Sequence, residues 1–127
     1  MKCLPDARKE SGQSLVEFAL GVFLLLLILA GTIDLGRGFH GYLVISNSAR
    51  EGARYGASYP NRDIVAKVIN EAHGSGVILT EDDVYVTVSP KGEPVHVGVH
   101  YEFSTLLGGV LGLPKITLNS SVQMMVM

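Results

Sequence analysis

The residue in this sequence that most invites a chemical reading is Glu17. It stands at the head of an apolar run, Phe18 to Ile33, that carries no charge before Asp34. In lipid, a carboxylate costs about 2.5–3.5 kcal/mol at the centre of a span on an insertion scale, and less near its end. A carboxylate kept at that edge is a candidate for function. It also has a plain structural use. Ser14-Leu15-Val16-Glu17 has the spacing of a capping box, in which Glu17 reaches back to a free backbone N–H at a helix start. From these residues alone both readings stay open.

Elsewhere the side chains that could do chemistry are poorly arranged for it. His96 and His100 fall on one face of a strand, but four residues at about 3.3 Å each separate them by roughly 13 Å. One metal ion needs both within about 2.0–2.1 Å. Glu81-Asp82-Asp83 lacks the calcium-loop spacing and reads as a solvated loop. The single cysteine, Cys3, can form neither an internal disulfide nor a cysteine-rich zinc site. No nucleophile elbow, paired-histidine zinc motif or phosphate loop is present, and Asn119-Ser120-Ser121 matches a glycosylation sequon no more often than chance allows. The sequence therefore predicts no catalytic residues, no metal and no cofactor.

The elements that position Glu17 explain its setting. Counted from Leu15, the apolar run is about 19 residues long, enough at about 1.5 Å per residue to cross the roughly 30 Å core of a bilayer. A chain of 127 residues has room for one ordinary domain and too little other apolar surface to wrap such a helix. Lys2, Arg8 and Lys9 precede the run and favour a cytoplasmic N-terminus. No small-x-small boundary follows it, which argues against a secretory signal cut after the helix. Charged residues are only 17% and the formal charge is −2, so neither a disordered tail nor a binder of nucleic acid fits.

Beyond the run the helix is expected to continue, since Arg37 to Ala57 holds no proline. Ser48, Gly52 and Gly56 recur every four residues with Ala49 and Ala53 alongside, which makes a smooth face for close packing. That face can pack on the chain's own sheet, the reading favoured here, or form a groove between subunits. Arg50 and Arg54 flank Glu51 and suggest a solvated or salt-bridged face. Asp34 and Arg37, spaced i, i+3, suggest a local ion pair at the membrane boundary.

The remainder reads as a small α+β domain. Asn61 or Asp63 can start a short helix through His73, with Ile64, Val65, Val68, Ile69 and Ala72 as its apolar stripe. Val84, Val86 and Val88 alternate with polar neighbours as a strand. Pro90 to Pro94 is a turn, and Val95, Val97, Val99, Tyr101 and Phe103 alternate again as the second arm of a hairpin. Ile116, Leu118, Val122, Met124 and Val126 supply a third strand. Residues 104–115 form an unusually apolar loop that either folds back over the sheet edge or touches a membrane or a neighbouring subunit. The expected fold is thus α+β: a long N-terminal transmembrane helix continuing into an outer domain with a short helix and an antiparallel sheet of about three strands.

The stretch around Glu17 also resembles a known family. Gly12-Gln13-Ser14-Leu15-Val16-Glu17-Phe18-Ala19-Leu20, then Asp34-Leu35-Gly36-Arg37, then Ser48-Ala49-Arg50-Glu51-Gly52-Ala53-Arg54-Tyr55-Gly56-Ala57 is similar to TadE-like proteins, pseudopilins of the tight-adherence (Flp-type) pilus system. The likeness is strong over roughly Gly12 to Ala57 and loose beyond. Gly21 and Val22 depart from it, standing where many members carry a proline-bearing stretch. The resemblance implies cleavage between Gly12 and Gln13 by a prepilin peptidase on the cytoplasmic side. It divides the chain into a leader (1–12), a membrane helix with its extension (13–57) and an extracytoplasmic domain (58–127). It implies that Glu17, with Phe18 beside it, serves assembly, the carboxylate meeting the N-terminal amine of a neighbouring subunit in a dry core. The implied partners are the peptidase, other pilin or pseudopilin subunits, the inner-membrane assembly machinery and the lipid bilayer, with no nucleic acid. The implied place is the cytoplasmic membrane, as a minor pilin rather than a shaft subunit. The alternative is a permanently anchored binding module of the cell envelope.

Overall fold

The computed structural model describes residues 7–90 and 92–126. Of the expected leader, Lys2 and Cys3 lie outside the described residues, and only helical backbone is described at Arg8 and Lys9. Without an internal proline to remove a hydrogen bond or clash with the preceding turn, the chain forms one helix, α1 (Ala7–Ser58), 52 residues long. At about 1.5 Å per residue it is a rod of roughly 78 Å. It stops just before Pro60, whose ring disfavours helical backbone at Tyr59.

The two halves of α1 have different surroundings. No residue in its most apolar stretch is buried, so the run is not a core helix of this chain and fits a single-pass membrane anchor. Phe18, Leu25 and Ile28 are all well exposed. The hydroxyl of Thr32 donates to the Ile28 carbonyl at 2.9 Å, which satisfies a polar group that lipid would not. From Asp34 onward, one side of the helix is covered by the rest of the chain.

That covering domain is α+β. Helix α2 (Ile64–Gly74) starts at Asp63, whose carboxylate accepts from the Ala66 N–H at 3.0 Å. Ile64, Val68 and Ala72 are buried, with Val65 and Ile69 at the edge of the core. Strands β1 (Val84–Thr87), β2 (Pro94–Phe103) and β3 (Ile116–Met125) form one antiparallel sheet in the order β1-β2-β3. The register pairs Val86 with Val97 and Val97 with Val122. Period-two alternation turns Val95, Val97 and Val99 inward, fully buried against Ile45, Ala49 and Val68. The helices thus cover one face of the sheet and leave the other open, the usual economy of an antiparallel sheet.

Three expectations are corrected. The first strand ends at Thr87, which pairs with His96; Val88 has no ladder partner and is exposed. Glu81–Asp83 is a 3-10 turn rather than a plain loop, held because Asp83 accepts from the Thr80 backbone N–H and hydroxyl, both at 2.8 Å. The expected loop 104–115 contains a helix, α3 (Leu106–Leu111). Thr105 caps it, accepting from the Gly108 N–H at 2.7 Å, and Gly112 ends it in the left-handed region (φ 69°) that favours glycine. In the turn before β2, Lys91 lies outside the described residues, and the Glu93 N–H donates to the Pro90 carbonyl at 3.0 Å.

Candidate functional site

Gly12, Gln13, Glu17 and Phe18 all lie within α1 and are exposed. The helix is already formed at Ala7, so Glu17 is some ten residues inside it and does not cap the helix start. A Cβ placed on Gly12 meets nothing within 4 Å. Packing among the described residues therefore gives no reason for glycine there, while glycine in a helix interior costs about 1 kcal/mol relative to alanine. Phe18 stands at 72% exposure.

The other candidates belong to a seam. Gly31, Asp34, Gly38, Gly41, Ile45, Ser48, Gly52 and Gly56 follow one another at three- or four-residue steps and face the domain. A Cβ on Gly56 would lie 2.7 Å from Ile64 and 3.2 Å from Val95; one on Gly52 would collide with Val68. On Gly41 it would press Tyr101 (3.1 Å), and on Gly38 the Phe103 ring (3.0 Å). Successive inward residues of β2 thus meet glycines progressively nearer the N-terminus, so β2 runs antiparallel to α1. Ala49 and Ala53 are fully buried in the same contact, and Ser48 is satisfied within the helix, its hydroxyl donating to the Val44 carbonyl at 2.9 Å. The small-residue face is occupied by the chain's own α2 and sheet.

Asp34 does more than the expected ion pair. Arg37 approaches it at 3.6 Å. Its two carboxylate oxygens also accept from the Leu106 and Leu107 backbone N–H groups, at 2.7 and 2.9 Å. These are donors that the start of α3 would otherwise leave open. Asp34 is therefore a clamp between the end of the apolar run and a helix 72 residues away. The pattern signal for it is the seam itself: a carboxylate at a seam position needs a buried partner.

Farther along, Glu51 receives Arg54 at 2.7 Å and Lys67 at 3.8 Å, tying α1 to α2. The bond from Arg54 holds the Glu51 carboxyl below its usual range. Arg50 is exposed. On the open sheet face, His100 pairs with the Asn119 side-chain oxygen and lies against Tyr85, ring centres 5.2 Å apart. The Tyr85 ring covers Gly98, where any Cβ would collide with it. Among the described residues no group of three or more histidine, cysteine or acidic side chains is gathered as a metal site would require.

The geometry defines a class: an α+β domain keyed onto the distal half of a single helix whose proximal half is a bare apolar anchor. Residues 12–54 match the family described as TadE-like protein, so the anchor segment of this chain is TadE-like. The matched stretch starts at Gly12, includes Glu17 and Asp34, and ends inside the seam at Arg54; it covers about a third of the chain. It bears out the resemblance read from the sequence. A match of this kind suggests a structural rather than an enzymatic protein. No curated protein and no solved structure matches the chain.

Proposed function

We propose that this chain is a minor pilin, or pseudopilin, of a tight-adherence pilus. A prepilin peptidase cuts it between Gly12 and Gln13, and it then takes part in assembling the filament with other pilin-like subunits at the inner membrane. The N-terminus faces the cytoplasm and the α+β domain lies outside. The observation that carries this reading is the TadE-like match beginning at Gly12, together with Glu17 exposed at the head of the bare apolar run within α1. Among the described residues Gly12 has no packing role to explain it, and a peptidase reaching the backbone benefits from a residue with no side chain and a locally weak helix. After cleavage, Glu17 lies near the new positive end of the helix dipole. A carboxylate in a dry helix bundle is expensive alone and far less so beside a neighbour's terminal ammonium. Glu17 thereby acts as a register check between subunits.

The test is the intact mass and N-terminal sequence of the protein extracted from membranes, for wild type and Gly12→Val. Since a Cβ at Gly12 meets nothing, the variant leaves the fold intact. The expected result is a wild-type chain beginning at Gln13 and an uncut variant. A wild-type chain that keeps its first twelve residues overturns the reading and leaves a permanently anchored binding module. A chain beginning after Ile33 removes the anchor altogether. Glu17→Ala is expected to be cut normally yet to be missing from purified filaments.

A further inference from the structure

We infer that α3 and the turn after it form a second, non-spanning membrane anchor. It rests in the bilayer leaflet on the domain's side, beside the end of the α1 span. From Phe103 to Pro114 the chain carries no charge. Val110, Leu111 and Leu113 are exposed at 84, 60 and 57%. In water this is an unusual concentration of bare aliphatic surface on so short a segment. Its position says what covers it. Asp34 holds the first two N–H groups of α3 at the last charge-free boundary of the run. Leu107 packs 3.6 Å from a Cβ on Gly31, three residues, or about 4.5 Å, farther into the apolar run. The α3 surface is therefore continuous with the lipid-facing surface of α1, through Ile28 and Leu35, at the depth where that surface enters the bilayer.

The backbone is prepared for that position. Irregular chain enters lipid only when its polar groups are met internally. Here Asp34 takes two N–H groups of α3, Thr105 takes a third, and the Leu113 N–H returns to the Gly108 carbonyl at 3.0 Å. Charges appear only at the rim, where Lys115 approaches Glu102 at 3.8 Å and Arg37 stands beside Asp34. An apolar element of this kind lies about 5–10 Å into the headgroup and acyl boundary. The occupant of the α3 surface is the acyl chain of bilayer lipid.

This inference rests on α1 spanning the bilayer and not on cleavage at Gly12, and the experiment separates it from that reading. The chain has no tryptophan, so one introduced indole reports alone. Full-length Val110→Trp, Leu24→Trp and Val88→Trp are each reconstituted in phosphatidylcholine vesicles. The lipids carry bromine either high on the acyl chain or near its end. The indole of Val110→Trp is expected to emit to the blue and to lose most of its emission to the high bromines and less to the deep ones. That of Leu24→Trp, in the span, is expected to be quenched most by the deep bromines. That of Val88→Trp, at the far end of the domain, is expected to be quenched by neither. If Val110→Trp is as unquenched as Val88→Trp while Leu24→Trp is quenched, the second anchor is overturned and the span stands; this is also the result if a second copy of the chain covers α3. An unquenched Leu24→Trp overturns both.

Discussion

The two halves of α1 share one unbroken backbone and obey opposite rules. In the bare apolar run, Cβ atoms added at Gly12 and Gly21 meet nothing, and the first contact comes at Gly31, an ordinary 3.6 Å from Leu107. In the distal half, Gly38, Gly41, Gly52 and Gly56 each hold space for a particular side chain. The proximal half is apolar all round and specified by its solvent, whereas the distal half is specified by shape. Composition alone places the first, while the second depends on which residue faces which. A glycine in this helix therefore carries different information on the seam, as at Gly38 and Gly52, and off it, as at Gly21 and Gly36.

The sharpest way to break that contrast is to add the same side chain to both halves. Gly52→Val drives a branched side chain into Val68 and is expected to destabilise the domain by roughly 3 kcal/mol. Gly21→Val is expected to leave it unchanged, as read by protease resistance of the domain in detergent. Next comes the boundary. Asp34→Ala leaves two N–H groups of α3 without their acceptor. Hydrogen exchange at Leu106 and Leu107 should speed by at least about tenfold while the Val97 amide keeps its protection. Asp63→Ala removes the α2 cap and should cost about 1 kcal/mol, showing how much of the seam's cover depends on local capping. The smallest effect is expected at the surface. Arg54→Ala breaks an exposed pair, and the melting temperature should stay within experimental error.

The elements that repeat a pattern were legible in the sequence. The alternation of Val95, Val97 and Val99, the stripe of α2 and the length of the apolar run each follow from a period that burial imposes. So did the anchor motif from Gly12 to Glu17, through its resemblance to TadE-like proteins. What escaped were features fixed by partners distant in sequence. Helix α3 has six residues and two glycines, too short for a period, and its start depends on a carboxylate 72 residues earlier. Val88 continued the alternation beyond the last ladder partner, and alternation cannot reveal where pairing stops. The roles of Gly38 and Gly41 were hidden because glycine contributes no pattern of its own; only Phe103 and Tyr101, arriving from β2, show why those places are empty.

The absence of a break in α1 has a mechanical meaning. Every residue from Ala7 to Ser58 is helical, and the seam grips the distal half along most of its length. Such a rod has no swivel. If the proximal end is turned about its axis, the sheet turns with it, and its open face, with His100 and Tyr85, sweeps round the helix axis. The azimuth of Glu17 about the helix axis thus fixes the compass bearing of the sheet.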